Sequence, residues 1–125
     1  MAKILVVDDD KVALTMLQML LARAGHEVVS AKDGAEGYEL AQKNKPDLLI
    51  SDMLLPKIDG MDLCRKIKGN PELNKMKIIL ITAVYKGMPF KFEAKDCGAD
   101  DLVNKPIDTK YLMGRVETLL SQENR

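Results

Sequence analysis

At 125 residues the chain has the size of one domain, 1–125, long enough to bury about two-thirds of the surface it exposes when unfolded. Its 46% hydrophobic and 30% charged residues are those of an ordinary globular domain, and no apolar run approaches the ~20 residues of a membrane-spanning helix. Lys and Arg total 19 and so do Asp and Glu, so no global field draws the chain to nucleic acid or to an anionic membrane.

Met1-Ala2-Lys3 runs straight into an apolar, β-branched first strand at 3–7, with no leader pattern before it, and the expectation is a cytoplasmic protein. Asp8-Asp9-Asp10 follow, then a segment of helical period at 10–24 that Asp10 is expected to cap or start. In that segment Val12, Met16, Met19, Leu20 and Arg23 step by three or four beside a Leu14, Leu17, Leu21 row, which predicts a wide apolar stripe. His26 falls in the turn before the second strand, 27–31, and is expected to be a plain surface residue. A helix over 34–43 leads to a third strand at 48–51, closed by Asp52. Pro56 and Gly60 bracket the next turn as backbone-shaping residues, and Asp59 is expected to cap a helix over 60–68.

The fourth strand, 77–81, ends at Thr82-Ala83. A turn-rich stretch from Val84 to Pro89 precedes a helix expected at about 89–97, on which Phe90 and Phe92 would stand about 200° apart. Either one of them is exposed or that helix starts late. The fifth strand, 102–104, ends at Lys105-Pro106, and a helix over 109–120 follows, with Asp108 as its cap. That helix is expected to bury Tyr111, Leu112, Val116, Leu119 and Leu120. Met16, Met19, Met61 and Met113 read as core filling, and Cys64 and Cys97, without CxxC spacing, as packing thiols of a reducing compartment.

Strands alternating with helices five times over imply a parallel sheet with helices on both faces, an open α/β fold. In such a sheet ligands collect outside the C-terminal ends of the strands. Here strands one, three, four and five each deliver a polar group to that edge: Asp8 and Asp9, Asp52, Thr82, and Lys105. Three carboxylates in one small region repel each other unless a cation balances them, and a hard divalent ion such as Mg²⁺ suits oxygen ligands. Mn²⁺ fits the same oxygen set.

Acid cluster, lone acid, hydroxyl and lysine, each at the exit of its own strand, resemble the constellation of a response-regulator receiver domain over essentially the whole chain. The resemblance implies the flavodoxin-like strand order 2-1-3-4-5. It implies that Asp52 accepts a phosphoryl group from the phosphohistidine of a sensor histidine kinase or phosphotransfer protein. Asp9, Asp52 and the backbone carbonyl of Leu54 would hold the metal directly, with Asp8 acting mainly through water. Lys105, the Thr82 hydroxyl and the Ala83 amide would meet the phosphoryl oxygens, and the Lys105–Pro106 peptide would be cis. A downstream protein would bind the face of the fourth helix, fifth strand and fifth helix, and phosphorylation can promote a dimer there. Direct contact with nucleic acid or membrane is not expected, and the only chemistry implied is the domain's own phosphorylation and dephosphorylation.

The pattern departs from the family at Leu102, three residues before Lys105, where an aromatic residue is usual; the ordinary coupling of the threonine to that ring is therefore in doubt. Two other functions stand beside the first. A phosphohydrolase of the haloacid-dehalogenase type would need an Asp-x-Asp nucleophile on an early strand and a cap insertion, whereas Asp8 and Asp9 are adjacent. A receiver-like interaction module working without phosphate is opposed by the complete acid set.

Overall fold

Four successive residues of the first strand, Ile4 to Val7, are apolar and buried, as expected where a strand is covered on both faces. The computed structural model describes residues 2–83 and 97–122. In chain order its elements are β1 (Lys3–Val7), α1 (Lys11–Arg23), β2 (Glu27–Ala31), α2 (Gly34–Asn44), β3 (Leu48–Asp52), α3 (Gly60–Lys68), β4 (Lys77–Ala83), β5 (Asp101–Lys105) and α4 (Thr109–Ser121). Every strand pairing is parallel, and the order is β2-β1-β3-β4-β5. The helix expected at about 89–97 lies outside the described residues except for Cys97, which sits in a turn; Val84, Tyr85, Phe90 and Phe92 lie outside them too.

Period-two alternation along the strands splits the core into two layers. Leu5, Val7, Leu49, Ile78 and Leu80 face α2 and α3, meeting Ala41, Leu63 and Ile67. Ile4, Val6, Leu48, Ile50, Ile79 and Ile81 face the other way and meet Leu17 and Leu21 of α1 with Leu112, Val116 and Leu119 of α4. The helices that bound these layers begin alike. Asp10, Asp33, Asp59 and Asp108 each accept a hydrogen bond from a backbone N–H of the first turn, at 2.8–3.1 Å. A cap of this kind contributes about 1 kcal/mol and fixes where the chain leaves its strand.

The helical faces are narrower than the sequence pattern suggests. On α1 only the Leu14, Leu17, Leu21 row meets the sheet, while Val12 is 78% exposed and Met16 and Met19 also lie at the surface. A helix lying flat on a sheet buries one stripe, so two adjacent apolar rows cannot both be inside. Met61 and Met113 do pack against the core, and Met16 and Met19 do not. Tyr111 is likewise exposed, on the outer side of α4. His26 departs in the opposite sense. Its side chain is 7% exposed, its Nδ1 accepts from the Ala2 amide at 3.2 Å, and its Nε2 meets Glu117 at 2.8 Å. It ties the start of the sheet to α4.

Gly114 lies in the exposed middle of α4, and a Cβ built there meets nothing within 4 Å. Gly114→Ala is therefore expected to stabilise the domain by about 1 kcal/mol through helix propensity and a less flexible unfolded chain. Urea unfolding checks this as a raised midpoint at unchanged slope.

Candidate functional site

The parallel register brings the exits of β1, β3, β4 and β5 to one edge. Val7 pairs with Ser51, Asp52 with Ile81, Thr82 with Asn104, and Ala83 with Lys105. Asp52 is the last residue of β3, and the next residue stays tied to the sheet, since the Met53 amide donates to the Ile81 carbonyl at 2.8 Å. β4 and β5 run further than the apolar pattern suggests, because backbone pairing continues through Thr82-Ala83 and Asn104-Lys105 whatever the polarity of the side chains.

Carboxylate oxygens of Asp8, Asp9 and Asp52 all lie within 4.8 Å of one another. Asp8 and Asp52 are buried and Asp9 is exposed, which leaves the cluster open on one side. Lys105 reaches over from β5 and donates from Nζ to Asp52 Oδ2 at 2.9 Å, while Asp52 Oδ1 accepts from the Leu54 amide at 3.3 Å. Asp8 Oδ1 accepts from the Asp10 amide at 2.9 Å. Burial pushes the Asp8 carboxyl above the usual carboxylate range, and the neighbouring charge of Asp52 adds to the rise. The Lys105–Pro106 peptide is cis, as the resemblance implies.

Thr82 sits at the same edge, but its hydroxyl donates to the Ala83 carbonyl at 3.2 Å. To serve a ligand oxygen it must leave that bond. Leu102 is half-buried and packs on the core layer shared with α2 and α3. The structure thus brings the three acids and the lysine into one cluster and places Thr82 beside them, turned to its own backbone.

The loop that carries Leu54 is held by contacts the sequence pattern does not announce. The Gly60 amide donates to the Met53 carbonyl at 2.8 Å, and a Cβ on Gly60 would stand 2.3 Å from the Asp52 carbonyl oxygen. On the far side, a Cβ on Gly34 would stand 1.7 Å from the Ile58 carbonyl oxygen, so the loop rests directly on the start of α2. Lys57, in the left-handed region at φ 68°, places its Nζ 3.5 Å from Asp33 Oδ2. The Glu36 amide, with Lys57, holds the Asp33 carboxyl below the usual range. Beside Pro56 and Gly60, the signal in the sequence is the pair of Asp-Gly steps, Asp33-Gly34 and Asp59-Gly60, which mark caps at both sides of the loop.

Three hard oxygen donors with one open side fit a divalent cation of the Mg²⁺ type. Without it, burial makes the charged form of Asp8 a cost to the fold. A carboxyl whose folded pKa is raised loses stability for the protein as pH rises through that pKa. Asp8→Asn is therefore expected to raise the melting temperature of the metal-free protein at neutral pH by a few degrees and to weaken Mg²⁺ about tenfold. Calorimetric melting with and without Mg²⁺ reads both effects in one series.

The family model for the response regulator receiver domain matches residues 4–117, and the chain belongs to that family, the receiver domains of two-component response regulators. Among curated relatives, the chain is 34% identical over 125 residues to the DNA-binding dual master transcriptional regulator RpaA of Synechocystis, covering all of this chain and 52% of that protein. It is 38% identical over 119 residues to the alkaline phosphatase synthesis transcriptional regulatory protein PhoP of Bacillus subtilis, covering 94% of this chain and 48% of that one. The chain thus spans about half the length of these relatives. Among solved structures, the chemotaxis response regulator CheY4 of Vibrio cholerae superposes with a TM-score of 0.85 at 29% identity, covering 95% of this chain and 98% of that one. Receiver domains are signalling domains rather than enzymes that turn over an external substrate. Among the described residues no helix is long and apolar enough to cross a membrane.

Proposed function

We propose that the chain is a phosphoacceptor switch in which Asp52 takes a phosphoryl group from the phosphohistidine of a sensor histidine kinase or phosphotransfer protein. The observation that supports this most directly is the meeting of three carboxylates within 4.8 Å with the Lys105 ammonium 2.9 Å from Asp52, at the exits of three different strands. One oxygen of Asp52 attacks phosphorus, the bond from phosphorus to the donor imidazole breaks, and the product is an acyl phosphate. Asp8, Asp9, Asp52 and the Leu54 carbonyl would hold a divalent cation, which when bound neutralises charge on the oxygens of the transferring group. Lys105 then exchanges Asp52 for a phosphoryl oxygen, a point-charge role that needs no bidentate geometry. The Thr82 hydroxyl turns from the Ala83 carbonyl to another oxygen, and the Ala83 amide donates to the same group.

That turn of Thr82 is the motion from which switching would start. The half-buried Leu102 side chain offers no hydroxyl and no broad ring to follow it. The output face would include β5 and α4, where Arg115 pairs with Asp101 and Tyr111 is exposed. A downstream protein, or a second phosphorylated copy, would bind there. Direct DNA contact by these residues is not proposed, since 19 basic residues balance 19 acidic ones and no basic stripe stands out.

The test is incubation with acetyl phosphate, with and without Mg²⁺, read by intact mass. Gain of one phosphoryl group only when Mg²⁺ is present supports the reading. No gain, under conditions that label another receiver domain, overturns it in favour of a module that works without phosphate.

A further inference from the structure

Cys64 and Cys97 are separated by 33 residues in the sequence, yet the fold sets them side by side. Cys64 is on the inner side of α3 with Leu63 and Ile67 and is fully buried, while Cys97, in the turn before β5, is 6% exposed. The Cys64 thiol donates to the Cys97 carbonyl at 3.2 Å, so the two residues are in direct contact. Among the described residues no third His, Cys, Asp or Glu joins them in a metal-ligating group; Leu73, Met76 and Ile78 share their core layer, and the paired charges of Lys68 and Asp100 lie near enough to act on Cys64. The pair lies away from the acceptor cluster, because Cys97 precedes the N-terminal end of β5 and Lys105 closes its C-terminal end.

We propose that Cys64 and Cys97 form a reversible intramolecular disulfide, a thiol lock between α3 and the turn that enters β5. The oxidant is a low-molecular-weight disulfide of the glutathione class. Cys97, the more accessible of the two, attacks one sulfur of that disulfide as thiolate, the S–S bond breaks, and one small thiol leaves. Cys64 then gives up its proton and attacks the Cys97 sulfur, releasing the second small thiol. Two protein thiols are oxidised and one small disulfide is reduced to two thiols, so atoms and electrons balance. Burial pushes the Cys64 thiol well above its ordinary value, which makes the second step slow and the reduced form persistent. Contact in the native state has a thermodynamic consequence. A fold that already holds the two cysteines in contact favours the disulfide over its formation across an open chain of the same length.

The experiment equilibrates the whole chain at low protein concentration with graded mixtures of glutathione and its disulfide, in buffer and in concentrated urea. Acid quench, alkylation and intact mass follow, with peptide mapping of the product. The native chain is expected to lose two hydrogens, to yield a peptide joining Cys64 to Cys97, and to be half-oxidised at a ratio at least about tenfold less oxidising than in urea, about 30 mV. Cys64→Ser and Cys97→Ser should each abolish the loss of two hydrogens, and their melting curves confirm that they fold. A native midpoint equal to or more oxidising than the urea midpoint overturns the proposal. So does a native product carrying only glutathione, because either result means the fold does not hold the sulfurs ready to join.

Discussion

Asp52→Asn will take up no phosphoryl group from acetyl phosphate at any Mg²⁺ concentration, while Lys105→Met will still take it up but on the order of 10²-fold more slowly. The two substitutions remove different parts of the same 2.9 Å contact. An amide at position 52 has lost the nucleophilic carboxylate, and nothing beside it can substitute. Asp8 already accepts from the Asp10 amide and Asp9 is exposed, so neither occupies the position at the end of β3 beside Lys105. Losing Lys105 leaves the nucleophile intact and removes one positive charge from a transfer whose catalysis is mostly electrostatic. The two outcomes are separable by the time course of intact mass. Uptake by Asp52→Asn equal to that of the parent chain would move the acceptor elsewhere. An unchanged rate in Lys105→Met would mean that the ammonium serves only to neutralise the resting cluster.

The sequence alone marks these residues, for a physical reason. Parallel strands covered on both faces read as uninterrupted apolar runs, so the polar residues that follow each run mark the strand exit and the edge where ligands collect. Asp8, Asp52, Thr82 and Lys105 were legible for that reason, and three of the four helix-capping aspartates, Asp10, Asp59 and Asp108, because a cap is a local signal. What depends on the neighbour across space was not legible. The Val12, Met16, Met19 row has the same period as the Leu14, Leu17, Leu21 row, and only the tilt of α1 on the sheet decides which one is covered. His26 looked like a turn residue because Ala2 and Glu117, which enclose it, are distant in sequence. The resting hydrogen bond of the Thr82 hydroxyl to the Ala83 carbonyl, one residue away, is likewise something composition does not encode. The Cys64–Cys97 contact belongs to the same class, since nothing about two thiols 33 residues apart announces that they touch.

Gly60→Ala is expected to destabilise the domain by about 2–3 kcal/mol and to depress phosphoryl uptake in the fraction that stays folded. The same change of one methyl group stabilises at Gly114, so the pair separates propensity from packing. At Gly114 the new Cβ points into open space; at Gly60 it would lie 2.3 Å from the Asp52 carbonyl oxygen and 2.8 Å from Met53 Cα. Both obstacles are backbone, and a backbone cannot rotate aside as a long side chain can. Relief must come from moving the start of α3 or the loop after β3. The loop is confined on its other side by Gly34 against the Ile58 carbonyl and by the Gly60 to Met53 hydrogen bond at 2.8 Å. Any shift therefore passes into the segment that presents the Leu54 carbonyl and orients Asp52. Urea unfolding gives the stability change, and uptake from acetyl phosphate over a Mg²⁺ titration gives the functional one. A variant as stable as the parent would show that the loop has room the geometry denies. A destabilised variant with an unaltered Mg²⁺ dependence would separate the close approach at Gly60 from the metal-holding role proposed for the loop, leaving it a matter of packing alone.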